Sequence, residues 1–328
     1  MAADPPVLVR FSVVSFAPCG TRLAVVGSCP ELGDWKVDRA RVLQCRLGSE
    51  RLQSEPDFYS LDVELPGDTA RRQPAVEYKF IELSGGGVRW EELGGKKNRF
   101  LELDGEQAGG VCLLPVERFA EAGAGESDHT GRFYQGVKER GEISVRRVLK
   151  QLFLGSCPRS TRHIDQLRSQ GVTAVVNFQT EEDCKRNCVA GIGMEEDPMA
   201  VCREYEARGM EYIWMPTFDM STDGRAQMLP QASYVFAGLI RRGHVVYSHC
   251  NAGVGRSVAA VCGYLTFALG LSLRQMQHVV AGSRPVAFFD FEALRRARPH
   301  YEAMFGRPAD EASDGSCRGE AMALLGAA

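Results

Sequence analysis

The sequence predicts two domains: an N-terminal β-sandwich, then an α/β domain with a mainly parallel central sheet. Three observations carry this. Through residue 119, short apolar or alternating runs lie between Gly-, Pro- and Asp-rich turns, with no helical period. From about residue 145, strand-like runs alternate with helix-like ones, the pattern of a parallel sheet covered on both faces. Between them lies Glu121-Ala122-Gly123-Ala124-Gly125-Glu126-Ser127-Asp128, which is small, acidic and non-periodic. The expected boundaries are 1–122 for the β-domain, 123–144 for a linker, 145–308 for the α/β domain and 309–328 for a disordered Ala/Ser/Gly/Asp-rich tail. A chain of 328 residues can bury two cores.

In the first domain, Val7-Leu8-Val9-Arg10-Phe11 and Leu23-Ala24-Val25-Val26 read as strands. Ser60 to Leu65 alternates, placing Leu61, Val63 and Leu65 on one face. Val76 to Ile81 alternates as well, with Val76, Tyr78 and Phe80 inward and Lys79 outward. Strands at this spacing predict a sandwich of about 100 residues. In the second domain, 151–155 and 172–178 read as strands, and 162–170, 231–242, 272–281 and 292–305 as helices. Residues 181–210 are irregular and acidic, a loop with a short helix lying over any site.

The composition is that of an ordinary globular protein, with 44% hydrophobic and 25% charged residues. With 39 basic against 42 acidic side chains, the net charge of −3 gives no reason to expect nucleic acid or an anionic membrane surface as partner. No apolar run approaches the roughly 20 residues that span a bilayer. The opening Met1-Ala2-Ala3-Asp4-Pro5-Pro6 has no basic start or apolar core, so no secretory leader is expected. Eleven scattered cysteines, an odd number, do not form a disulfide framework and suit a reducing cytosol. Cys184, Cys188, Cys202 and His163 are the residues a zinc site would draw on, but no CxxC pairing joins them, and neither a metal nor a cofactor is expected.

The chemistry concentrates in His249-Cys250-Asn251-Ala252-Gly253-Val254-Gly255-Arg256-Ser257. An apolar strand, His244 to Ser248, precedes it, and a buried helix, Val258 to Leu265, follows. Strand, small-residue loop and helix aim main-chain N–H groups and a helix dipole at an anion. Asn251, Ala252, Gly253, Val254 and Gly255 form the phosphate-binding loop, with Gly253 and Gly255 free to take positive φ. The N–H donors favour Cys250 as a thiolate nucleophile. Arg256 offers a planar fork to two phosphate oxygens, and Ser257 supports the departing thiolate. His249 supports the loop, since a thiolate needs no base. A leaving alkoxide needs a proton, and Asp219 in Trp214-Met215-Pro216-Thr217-Phe218-Asp219-Met220 is the candidate general acid and base, with Asp223 second.

Two family resemblances sharpen this reading. Gly27-x-x-x-Glu31-Leu32-Gly33-x-Trp35, Tyr78-Lys79-Phe80, Trp90-Glu91 and Asn98-Arg99 resemble the starch-binding module of amylases and glucoamylases. That resemblance implies a glucan site of Trp90, Lys79 and Asn98, with Trp35 beside them and Tyr59 as a looser further platform. The chemistry is apt, since pyranose C–H faces stack on aromatic rings. Residues 145–305 resemble the dual-specificity branch of the cysteine-dependent phosphatases. Phe218 departs from the proline that the closest relatives would carry there. A starch-binding module ahead of this domain resembles the vertebrate glycogen phosphatases. It implies hydrolysis of phosphate monoesters on glycogen, a cytoplasmic, glycogen-associated location, a homodimer, and partners among glycogen-metabolism scaffold proteins and a ubiquitin ligase. Two other readings stand beside it: a protein phosphatase held on glycogen, and a glycogen-binding scaffold with secondary phosphate chemistry.

Overall fold

The computed structural model describes residues 5–18, 20–52, 54–70, 75–95, 97–103, 107–108, 110–120, 126–187, 189–306 and 315–326. They form two compact units, Met1–His129 with Gln277–Val286 and Met322–Ala328, and Thr130–Met276 with Ala287–Ala321.

In the first unit the strands are β1 Val7–Ser15, β2 Arg22–Gly27, β3 Arg41–Val42, β4 Gln44–Cys45, β5 Asp57–Leu65, β6 Glu77–Ser84, β7 Gly87–Trp90, β8 Arg99–Phe100, β9 Gln107–Ala108 and β10 Val111–Arg118. One sheet runs β4-β5-β1-β10-β9; the other runs β3-β2-β6-β7, with β8 also on β6. Every pairing is antiparallel except β1 with β10. The alternation in sequence becomes the core: Val9, Phe11 and Val13 meet Leu23, Val25, Val63, Leu65, Tyr78 and Phe80. Leu61 is only partly buried. Tyr59 corrects the expectation placed on it. It is 6% exposed and belongs to this core, so no sugar can stack on it.

The opposite face of β6 carries a smaller cluster of Ala24, Val26 and Ile81, against which Trp35 packs. Trp35 reaches that place through a strained turn. Gly33, Asp34 and Trp35 have φ of 87°, 51° and 60°. Left-handed backbone costs a non-glycine residue about 1–2 kcal/mol, and here it is held by Trp35 N donating to Gly27 O at 2.8 Å and Asp34 N to Cys29 O at 3.0 Å. Gly33 is required for space as well, since a Cβ there would lie 2.7 Å from Arg39 O.

The second unit holds β11 Val145–Leu149, β12 Leu152–Gly155, β13 Ala174–Asn177, β14 Glu211–Trp214 and β15 Val246–His249 in the order β11-β12-β15-β13-β14. Only β11 is antiparallel to its neighbour. One face is covered by Ile164, Leu167 and Tyr205 over Val175 and Tyr247. The other lies under the helices Thr222–Arg241 and Arg256–Gly263, on which Phe291–Phe305 packs in turn, with Leu229, Phe236, Val258, Val261 and Leu294 at 0–1% exposure. Each such side chain contributes about 1.5–3 kcal/mol on leaving water.

Three local expectations are corrected. Residues 123–144, read as a linker, contain the helix Glu126–Glu139, which buries Phe133 and Val137 on consecutive turns. The tail, read as disordered, contains the helix Gly315–Gly326, whose Cys317, Ala321 and Leu325 repeat every four residues and are buried. The helix expected from 231 begins at Thr222 and continues through Pro230, with Ser221 Oγ accepting from Gly224 N at 3.0 Å as its cap.

Candidate active site

Parallel strands deliver their following loops to one edge of a sheet, where open α/β sheets bind ligands. The loops after β13, β14 and β15 meet there. β15 ends at His249, and Cys250 to Gly255 cross to the N-terminus of the Arg256 helix. Asn251 O accepts from Cys157 N at 2.9 Å, and Val254 O from Phe288 N at 2.9 Å. These two bonds fix the loop's backbone against its neighbours at either end. Gly253 takes φ 68°, as its type predicts. Gly255 does not: its φ is −110°, a conformation open to other residues.

Cys250 is 4% exposed, with Sγ 3.3 Å from Ser257 Oγ. Burial alone would push its thiol up. The Arg256 guanidinium and the hydroxyl and N–H of Ser257 outweigh that and hold it below the ordinary value of 9.0. At Cys157 burial outweighs the Tyr134 hydroxyl and the charge of Arg159 and pushes the thiol up to about 11. One neighbouring thiol is thus poised for ionisation and the other is not.

Arg256 is fully buried, and its hydrogen bonds define which side is open. Nη1 donates to Asp183 Oδ2 at 2.6 Å, Thr217 O at 3.0 Å and Phe178 O at 3.3 Å. Nη2 donates to Asp219 Oδ2 at 3.1 Å. Nε is buried with no hydrogen-bond partner among the described residues. An orphaned buried donor costs about 1–3 kcal/mol, so the Nε–Nη2 edge is the one an oxyanion can take.

Asp183 is the residue that sequence reasoning missed. It caps the helix Glu181–Arg186 in a capping box with Thr180, and its Oδ1 accepts from Asn251 Nδ2 at 2.7 Å. Burial would raise its carboxyl, but bonds from Arg256 and Asn251 hold it below the ordinary carboxylate range. Asn251 Oδ1 accepts from Gln179 Nε2 at 2.8 Å and Asn187 Nδ2 at 3.3 Å. Every polar atom of the Asn251 side-chain amide is therefore engaged in fixing the loop.

Asp219 sits in the loop between Trp214 and the helix that Ser221 caps, its side chain half exposed and on Arg256. Asp223 points elsewhere, its Oδ1 2.8 Å from Arg296 Nη2. Phe218, in the place of the expected proline, leaves Asp219 against the arginine and is itself 76% exposed. The zinc candidates do not gather: among the described residues no group of three or more His, Cys, Asp or Glu could hold a metal ion, and Cys188 lies outside them.

His249 Nδ1 lies 3.2 Å from Cys250 O; a carbonyl can only accept, so Nδ1 carries the proton. Burial lowers the ring's pKa to about 4, and His249 is neutral at pH 7. Because the folded value lies below the unfolded one, this group's stabilisation is complete above pH 6.5 and is lost as pH falls towards 4. About 3 kcal/mol is lost across that window. Denaturant titrations at pH 7, 6 and 5 should show the decline, and His249→Gln should flatten its slope by about 1.4 kcal/mol per pH unit.

On the first unit, Trp35 and Trp90 lie together, ring centroids 6.5 Å apart and planes tilted by 39°. Trp90 is opposite Ile81 in the ladder, so it shares a face with Lys79 and Glu77. Lys79 Nζ donates to Glu91 O at 3.3 Å. Lys79, Arg89, Trp90, Glu91 and Lys97 line an open groove of about 620 Å³. Asn98 Nδ2 donates to the Glu77 carboxylate on that same face. Four of the five predicted sugar-site residues are thus on one surface, and Tyr59 is not.

Fold and loop define a cysteine-dependent phosphatase joined to a carbohydrate-binding sandwich. Residues 152–296 match the catalytic domain of dual specificity phosphatases and residues 6–108 the starch binding domain. Mouse (Mus musculus) laforin is 38% identical over 322 residues, covering 92% of this chain and 97% of its own. The chain belongs to the laforin family. It is also similar, over 44% and 47% of its length, to the chloroplastic phosphoglucan phosphatase LSF1 of Arabidopsis thaliana (24% identical, 25% of that protein) and the amyloplastic phosphoglucan phosphatase DSP4 of Castanea sativa (26%, 40% of that protein).

Proposed function

We propose that this protein hydrolyses phosphate monoesters on glycogen or a related phosphoglucan through a phosphocysteine intermediate. The observation that carries the reading is one chain holding a Trp35–Trp90 pair at an open groove lined by Trp90, and a phosphate loop with a thiol below its ordinary pKa. The phosphate is held by the loop N–H groups and the Nε–Nη2 edge of Arg256, displacing Asp219 from Nη2. Cys250 Sγ attacks phosphorus, and Asp219 gives its proton to the departing sugar oxygen. The Asp219 carboxylate then takes a proton from the water that hydrolyses the phosphocysteine. The Ser257 hydroxyl donates to the thiolate as it leaves.

No metal or other cofactor takes part in this scheme. The family resemblance extends the proposal to a homodimer, a cytoplasmic, glycogen-associated location, and scaffold and ubiquitin-ligase partners. An apolar patch supports the dimer: Tyr234 stacks on Phe305 at 4.3 Å, and both are exposed beside Met304. Among the described residues no helix is long and apolar enough to cross a membrane.

The discriminating experiment compares turnover of phosphorylated glycogen and of a phosphopeptide by wild type and Trp90→Ala. Removing the exposed indole should weaken glycogen binding about tenfold or more and lower glucan turnover, while leaving the peptide rate within about twofold. Undiminished glucan turnover in Trp90→Ala would remove the case for tethering through the groove. Faster turnover of the peptide by wild type would favour a protein phosphatase held on glycogen.

A further inference from the structure

Phe218 and Met220 are the most exposed large hydrophobic side chains among the described residues, at 76% and 84%. They stand on either side of Asp219, in a loop that is otherwise pinned. Thr217 is buried with its carbonyl on Arg256 Nη1 at 3.0 Å, and Ser221 caps the helix that follows. Met220 has φ 53°, with its N–H donating to Asp219 Oδ1 at 3.0 Å. The chain thus accepts backbone strain to turn one carboxylate in towards the arginine and two apolar side chains out.

An acid that protonates the leaving oxygen comes within about 3 Å of it. The first ring of the leaving group must then lie beside the residues adjoining the acid. A phenyl ring projecting from the preceding position presents a flat apolar face there, and the C–H face of a pyranose is its chemical complement. We propose that Phe218 is a specificity-determining residue of the phosphatase site, stacking on the glucose unit that carries the phosphate. The inference rests on the glucan phosphatase reading and deepens it: the catalytic unit selects glucan by a contact of its own, in addition to the groove at Trp90.

The test uses the full chain, with maltoheptaose carrying one phosphate monoester and glycerol 2-phosphate, an alkyl ester that needs the same acid but carries no ring, as substrates. Phe218→Ala should raise KM for the phosphorylated maltoheptaose about tenfold and leave kcat/KM on glycerol 2-phosphate within about twofold. Phe218→Tyr, which keeps the ring face, should restore the wild-type KM. Equal losses on both substrates would show that Phe218 only positions Asp219 and would overturn the proposal, as would an unchanged KM in Phe218→Ala. Wild type that turns over glycerol 2-phosphate but no phosphorylated maltoheptaose would instead sink the glucan reading beneath it. Thermal unfolding of each variant checks that the exposed ring is not needed for folding.

Discussion

Phosphate release from phosphorylated glycogen is expected to fall by at least about a thousandfold in Cys250→Ser. The substitution is close to isosteric, and the buried position and its Ser257 neighbour remain. What is lost is ionisation. Arg256 and Ser257 bring a thiol below its ordinary value, but a serine hydroxyl starts too high for the same environment to ionise it. Glycogen binding measured by co-sedimentation should be unchanged, because the groove lies on other residues. Turnover of Cys250→Ser within about tenfold of wild type would rule out the phosphocysteine route. The same charge balance fixes the pH dependence. A lowered thiol value keeps the thiolate present to lower pH than a free cysteine would, and kcat/KM falls only as pH drops through that lowered value.

Asp219→Ala carries the second large expected effect, a loss of about 10²- to 10⁴-fold in kcat on phosphoglucan. A sugar alkoxide is a poor leaving group, so removing the acid slows phosphocysteine formation, and removing the base slows its hydrolysis. Asp223→Ala serves as control. That carboxylate pairs with Arg296 at the surface, and its removal should leave turnover within about twofold, since exposed ion pairs contribute little. Single-turnover phosphate release separates the two steps. A larger effect from Asp223→Ala than from Asp219→Ala would exchange their roles.

Much of this was legible in the chain because the signals were local. A cysteine, an arginine beyond the five intervening loop residues and the flanking apolar runs all lie within one strand–loop–helix unit. Asp183 lies 73 residues from Arg256, and in sequence Thr180-x-x-Asp183 signals only a helix start. Its second bond exists because β13 and β15 are neighbours in the sheet. Resemblance points Tyr59 at sugar, although the alternation that places Leu61, Val63 and Leu65 on one face places Tyr59 there too. The helix Glu126–Glu139 escaped notice because Gly131 and Gly136 and its polar surface obscure the Phe133–Val137 stripe. The final helix escaped because Ala and Gly give little contrast between its faces.

The site is assembled from the ends of separate strands, and this has a consequence for how such a protein can diversify. The atoms that perform bond making and breaking point inward from three loops and are cross-braced through Asp183, Gln179 and Asn251. Other side chains project into solvent from the loop that carries Asp219, as Phe218 and Met220 do. A change at an outward position alters what is recognised and leaves the reacting geometry in place. Substrate preference can therefore drift one residue at a time while the reaction stays fixed.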